Sequence, residues 1–438
     1  MSVVGKPGYK ETEIGWIPSD WSVEKVESLA DVDPESLSIK TAADFSFRYI
    51  SLGDVDSGRL INGHENINFS DAPLRARRKV KAGDILFATV RPKLKGHYFA
   101  RRVDGNVIAS TGFAVVRARK EIASPEFLYQ SLLSGGVDAQ IEKLTAGSNY
   151  PAVNSGDVKG LLLTAPPLSE QQIIAAILTD VDEKLAVITR QIEATQILKQ
   201  GLMQTLFSRG VGIQDTSGQW VFHTEFKTVL SLDIPSTWDV MRLGDIAPLI
   251  RRPVEIRPDA TYPELGLRSY GKGTFHKPAL LGSEVGNKRL FEIRAGDLLF
   301  SNVFAWEGAV AVAKPEDDGR YGSHRYITCT VDNSRADTSY IYRYLITPAG
   351  IALLSLASPG GAGRNKTLGL SALANITIPL PPLAEQQKIS QILDGVEAKL
   401  QLLEAKRCAV ESTKRGLMQK LLTGEWRVKL AGGVDTSF

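Results

Sequence analysis

Residues 166–210 read PPLSEQQIIAAILTDVDEKLAVITRQIEATQILKQGLMQTLFSRG, and residues 381–425 read PPLAEQQKISQILDGVEAKLQLLEAKRCAVESTKRGLMQKLLTGE. The two stretches align without a gap at a constant offset of 215, with 19 of 45 positions identical. Self-similarity of this length is an internal duplication rather than chance. Apolar residues recur at three- and four-residue steps: Ile174, Ile177, Val181, Leu185, Ile188, Ile192, Leu202 and Leu206, then Ile389, Ile392, Val396, Leu400, Leu403, Leu417 and Leu421. A stripe this narrow, flanked by Glu, Lys, Gln and Arg, predicts two long helices that each need a partner helix. That partner is either the other copy, packed antiparallel within the chain, or the same helix of a second chain. About 40 residues of helix span roughly 60 Å.

Ser169 with Gln172 has the spacing of a capping box, but the second copy carries Ala384 where the cap would stand. Capping therefore does not account for the repeated Glu-Gln-Gln. A docking surface for partner proteins, built from Glu170, Gln171, Gln172, Glu385, Gln386 and Gln387, is the expectation that does.

A weaker duplication precedes each helix. Ile17-Pro18-Ser19-x-Trp21-x-Val23 recurs as Ile234-Pro235-Ser236-x-Trp238-x-Val240, and Lys81-Ala82-Gly83-Asp84-Ile85-Leu86-Phe87 recurs as Arg294-Ala295-Gly296-Asp297-Leu298-Leu299-Phe300. A Gly-Asp turn before a short apolar run predicts a turn followed by a strand. Phe113 to Val116 and Tyr326 to Val331 read as strands, and Pro125 to Leu133 and Ser339 to Leu345 as short helices. The chain thus divides into a globular unit at 1–165, a helix at 166–210, a second globular unit at 211–380, a second helix at 381–425 and a tail at 426–438. After the shared landmarks the units diverge, with ATVRPKLKGHY at 88–98 against SNVFAWEGAV at 301–310. Common scaffolds with unlike loops suit two related modules that read different targets.

Composition excludes several classes. The 438 residues are 43% hydrophobic and 23% charged, enough for more than one core. No apolar run approaches the roughly 20 residues that cross a bilayer, and Met1 to Lys10 carries no signal-peptide core. Cys329 and Cys408 form no disulfide framework, which fits a cytoplasmic protein, and the five His are too scattered to ligate a metal. An amino-methyltransferase would show an Asn/Asp-Pro-Pro-aromatic tetrapeptide and a Gly-rich cofactor loop, and neither occurs. Pro359 to Gly363 lacks the Gly-Lys-Ser/Thr ending of a phosphate loop and reads as a flexible turn. Asp31, Asp33 and Asp259 lack the Glu-x-Lys spacing of a nuclease and read as solvated loop acids.

The net charge of +3 averages over unequal segments. Residues 1–69 hold 6 Lys and Arg against 12 Asp and Glu, whereas residues 70–120 hold 13 against 3. The basic segment reads either as a phosphate-facing surface or as a solvated face. Its candidates for DNA contact are Arg75, Arg77, Arg78, Lys79, Arg91, Lys93 and Lys95, with Arg91 the first choice for a base because a guanidinium can grip guanine O6 and N7 together. In the second unit the candidates are Asn302 and Trp306 in the corresponding loop, with Arg268, Tyr270, Lys272, His324 and Arg325 on neighbouring turns. Phe304 and Trp306 also fit a core role. The loops before the helices add Ser148, Asn149 and Tyr150 and Arg364, Asn365 and Lys366, which read equally as ordinary turns.

Together, the paired PPLxEQQ helix starts, GLMQxL helix ends, IPSxWxV motifs and AGD(I/L)LF turns resemble the specificity subunit of type I restriction–modification enzymes over nearly the whole chain. Residues 211–233, which do not match residues 1–16 well, are a local departure. The resemblance implies an α+β fold in which two related target-recognition domains are separated by two long antiparallel coiled-coil helices, in a pseudo-two-fold circular arrangement. It implies no chemistry on this chain, each domain reading one half of a split double-stranded DNA site. Two methyltransferase subunits would bind S-adenosylmethionine, and up to two motor-nuclease subunits would use ATP and Mg. The helices would dock the methyltransferases and set the spacer between half-sites.

Overall fold

The computed structural model describes residues 6–56, 58–61, 65–147, 150–229, 232–360 and 366–428. By packing, the chain divides into residues 1–190 with 405–438, and residues 191–404. Each unit therefore takes part of both long helices.

In the first unit, one four-stranded sheet has the order β7 (Tyr98–Ala100), β6 (Asp84–Ala88), β9 (Phe113–Ala118), β2 (Ala30–Val32). The other has the order β4 (Asn66–Asn68), β3 (Ser46–Ile50), β8 (Val107–Ser110), β5 (Ala76–Val80). A further strand, β1 (Ser22–Lys25), pairs antiparallel with β10 (Leu162–Ala165), which leads into the first long helix. The second unit repeats the plan. One sheet runs β17 (Val310–Val312), β16 (Leu298–Ser301), β19 (Tyr326–Cys329), β12 (Leu249–Ile250), and the other runs β14 (Thr274–Leu281), β13 (Thr261–Leu267), β18 (Arg320–Ser323), β15 (Leu290–Ile293). Strands β11 (Asp239–Arg242) and β20 (Thr377–Leu380) make the corresponding pair. Each second sheet holds one parallel pair, β3 with β8 and β13 with β18.

The repeated Ala-Gly-Asp motif has a local cause. Gly83 and Gly296 take positive φ, +91° and +86°, which a side chain would strain. Each following Asp closes its turn, since the Lys81 N–H donates to Asp84 Oδ2 at 2.7 Å and the Arg294 N–H to Asp297 Oδ2 at 2.8 Å. Both carboxylates are buried and answered by an arginine, Arg117 for Asp84 and Arg252 for Asp297. The next strand can then run straight through the core, and all five residues of β6 are buried.

The short helices α1 (Pro125–Leu132) and α2 (Gly135–Leu144), and α4 (Thr338–Leu345) and α5 (Pro348–Leu356), pack on the first-named sheet of their own unit. The long helices are α3 (Leu168–Arg209) and α6 (Leu383–Leu422), of 42 and 40 residues. They pack against each other within the chain. In the first unit Ile174 and Leu178 share a core with Leu421, Leu422, Ile17 and Trp21; in the second, Ile389 and Leu393 share one with Leu206, Phe207, Ile234 and Trp238. The start of one helix meets the end of the other, so the packing is antiparallel. Ion pairs join the helices at Lys414–Asp182 and Lys199–Glu397, at 2.7 Å each. The two pairs are related by the same offset of 215 that relates the sequences. Helix α3 begins at Leu168, so Ser169 lies inside the first turn, past the position from which it could cap.

Candidate nucleic-acid interface

In the first unit, strand pairing decides which cations are free. Because β2 lies beside β9, the acidic segment is folded against the basic one. Asp31 pairs with Arg119, Asp33 with Arg78, and Glu35 with Arg117 and Lys81. Lys81, and after it Arg117, hold the Glu35 carboxyl down at about 2. Lys93 and Lys95 reach Glu142 and Asp138 on α2. Arg77 lies over the Phe69 ring. Among the described residues no carboxylate pairs with Arg75, Lys79, Arg91, Arg101 or Arg102. With Arg77 and Lys120, which also lack a carboxylate partner among the described residues, these are the unneutralised cations of residues 70–120.

Arg91 sits at the tip of the turn after β6. Its backbone is left-handed (φ 48°, ψ 52°), its N–H donates to the Pro151 carbonyl at 2.8 Å, and its guanidinium lies 5.1 Å from the Tyr150 ring centre. Tyr150 is 71% exposed. Ser148 and Asn149 fall outside the described residues.

In the second unit the turn after β16 lies against two neighbours. Tyr270, with φ +62°, donates its N–H to the Glu307 carbonyl, and Lys272 lies over its ring. Trp306 donates Nε1–H to the Val303 carbonyl, and Lys366 lies over its ring at 4.9 Å. Phe304 is 40% exposed and Trp306 partly buried, so the turn presents aromatic surface. The Asn302 N–H donates to the Arg325 carbonyl, while its side-chain oxygen is enclosed with no partner among the described residues. Arg268 donates to the Thr274 carbonyl and covers Phe275. Arg364 and Asn365 fall outside the described residues.

A basic rim escaped the sequence reading. Arg251 lies over Phe291 and donates to the Tyr326 carbonyl, one residue from Arg325. The Arg289 carbonyl accepts the His324 N–H. Burial, and then the charge of Arg289, lower the Arg251 pKa. Two neighbouring guanidiniums without a carboxylate partner among the described residues form an anion-receptive site. The Arg-Arg dipeptide at 251–252 was its only signal, and Arg252 is occupied by Asp297.

Most of the repeated Glu-Gln-Gln faces inward. Gln171 accepts the Ser124 N–H and donates to the Ile122 and Pro166 carbonyls; Gln386 does the same with Asp337, Arg335 and Pro381. Glu385, 2% exposed, accepts from the Val211 and Gly212 N–H groups, Trp238 Nε1 and His223 Nε2. Glu170, also buried, is held by Arg427, which pairs with Asp20 as well. The motif thus joins each helix start to its own unit, and only Gln172 and Gln387 are exposed.

The pattern of the type I restriction modification DNA specificity domain matches residues 18–196 and again 235–412. A Methanocaldococcus jannaschii protein, provisionally named the MjaX specificity subunit of a type I restriction enzyme, is 27% identical, covering 96% of this chain and 97% of its own. The Haemophilus influenzae HindI specificity subunit is 29% identical over 43% of this chain and 41% of its own. Among solved structures, the type I restriction–modification S subunit from M. genitalium has a TM-score of 0.55 at 16% identity, covering 92% of this chain and 96% of that one. A chain solved in work on complex assembly and conformational transition of the type I R-M system also gives 0.55, at 23% identity, covering 94% and 99%. The chain belongs to the DNA specificity subunits of type I restriction–modification systems, the non-catalytic components that assemble with DNA in those complexes and leave cofactors to partner subunits. Among the described residues no helix is long and apolar enough to cross a membrane, and no cluster of His, Cys, Asp and Glu could hold a metal ion.

Proposed function

We propose that each unit reads one half of a bipartite, asymmetric double-stranded DNA site through the turn after its inner strand and the loop before its long helix. The observation that carries this is the pairing of one sheet order with two unlike tips, cationic around Arg91 and aromatic around Trp306. Arg75, Lys79, Arg101 and Arg102 in the first unit, and Arg251, Arg289 and Arg325 in the second, supply the phosphate contacts that set register without carrying sequence. Two methyltransferase subunits holding S-adenosylmethionine dock on the helices, with Gln172 and Gln387 within reach. Up to two motor-nuclease subunits use ATP and Mg, and the assembly works in the cytoplasm. Mapping methylated adenines in a host that expresses the assembled complex tests the reading. The expected motif is two unlike halves around an unread spacer, and a single continuous motif would overturn it.

A further inference from the structure

The loops carrying the two reading faces are joined alike. The Val153 N–H donates to the Thr89 carbonyl at 2.9 Å, and the Leu368 N–H to the Asn302 carbonyl at 2.8 Å. Thr89 and Asn302 each lie five residues after the Asp of their Gly-Asp turn, and Val153 and Leu368 differ by the helix offset of 215. On each joined pair of loops a cation sits over an aromatic ring. In the first unit the cation comes from the turn and the ring from the loop before the helix, Arg91 over Tyr150. In the second the roles are exchanged, with Lys366 from the loop over Trp306 from the turn.

The two cations differ in what they can discriminate. A guanidinium held against a ring keeps its planar fork of N–H groups at the edge, where two can meet guanine O6 and N7 together. An ammonium is a point charge, suited to a phosphate oxygen. The Arg91 backbone adds a second constraint. A left-handed conformation costs a non-glycine residue on the order of 1 kcal/mol or more and persists only where its surroundings impose it. Here the bond to the Pro151 carbonyl holds it, and the buried Pro92 that follows disfavours the right-handed alternative. Lys366 is tied differently, donating to Ser355 Oγ at 3.3 Å.

We propose that Tyr150 positions Arg91 to read a guanine in the half-site of the first unit, while Lys366, held by Trp306, contacts a phosphate in the second. This rests on the DNA-reading assignment above. The test measures equilibrium binding of the assembled methyltransferase complex to its mapped site and to every single-base variant of that site. Arg91→Lys keeps the charge but loses the fork, and discrimination should fall about fivefold or more at one G·C pair of one half-site. Tyr150→Leu should lose about two- to fivefold at that same pair, the worth of an exposed cation–aromatic contact. Lys366→Ala should weaken every sequence alike and flatten the salt slope by about one unit. Tyr150 is largely exposed, so an unchanged melting temperature for Tyr150→Leu checks that folding is intact. If Tyr150→Leu leaves discrimination unchanged, or alters a position other than the one Arg91→Lys alters, the positioning role is overturned. A uniform loss for Arg91→Lys would overturn base reading while leaving DNA recognition standing. Absence of any sequence preference in the unsubstituted complex would instead refute the proposed function.

Discussion

Glu385 and Glu170 occupy equivalent sequence positions, yet the structure predicts that replacing them by glutamine will have unequal consequences. Glu385 is enclosed and accepts four donors, three of them neutral N–H groups at 2.9 to 3.1 Å. An amide of the same shape keeps one acceptor oxygen but turns an NH2 toward these donors. At least one buried N–H is then orphaned, at about 1–3 kcal/mol, and the bond to His223 is weakened as well. Glu385→Gln should therefore cost roughly 3 kcal/mol. Glu170 is held by Arg427, whose side chain is 41% exposed and retains Asp20 as a partner. Trp21, the counterpart of Trp238, has no hydrogen-bond partner among the described residues, so no indole donor depends on Glu170. With a partner that can turn to water, Glu170→Gln should cost only about 1 kcal/mol. In a unit of this size a difference of about 2 kcal/mol is roughly 4–8 °C in melting temperature. Calorimetry on the full chain carrying each substitution measures it. Equal midpoints, or a larger drop for Glu170→Gln, would refute the account of how the helix starts are anchored.

Other expectations follow from the same contacts. His97 is buried against Phe87 with Nδ1 accepting the Ala88 N–H, and burial, followed by the charge of Lys95, depresses its pKa to about 3. The unfolded chain therefore binds a proton that the fold excludes, and stability should fall as pH drops below about 6.5, by up to about 1.4 kcal/mol per unit. Denaturant titrations at pH 7 and pH 5 should show this loss, and His97→Gln should remove that part of the pH dependence. Glu35 has the opposite linkage: its lowered pKa stabilises the fold above about 4.5, and that contribution should fade as pH falls toward about 2, visible as a smaller acid sensitivity in Glu35→Gln. Arg75→Ala should flatten the salt dependence of DNA binding by about one unit, whereas Lys95→Ala, already paired with Asp138, should flatten it less. Equal slopes would show that the pairing does not matter. Because ion pairs join the helices at one antiparallel register, a four-residue insertion near Thr195 needs a matching one near Gln401. Such a double insertion, about 6 Å of helix, should keep both half-sequences of the methylated motif and add one or two spacer bases; altered half-site bases with an unchanged spacer would count against a measuring role for the helices.

What could be read from the sequence was local. The two long helices that pack together were legible, because a repeated apolar stripe is a short-range property. The Gly-Asp turns were equally legible, since the Asp closes its turn onto a backbone N–H three residues away. Family and role followed from the order and duplication of such motifs. The effective charge of the proposed reading face was not legible. Residues 70–120 carry 13 Lys and Arg against 3 Asp and Glu, and Asp31, Asp33 and Glu35 come to pair with four of those cations only once β2 lies beside β9, a contact some 85 residues apart in the chain. Nor could Glu-Gln-Gln be recognised as an internal anchor, because Trp238, His223 and Asp337 reach it only through the fold. The periodicity of a helix is written in neighbouring residues, whereas the partner of a charge is chosen by whatever the folded chain brings within a few ångströms, and for this protein only the tertiary structure made that choice.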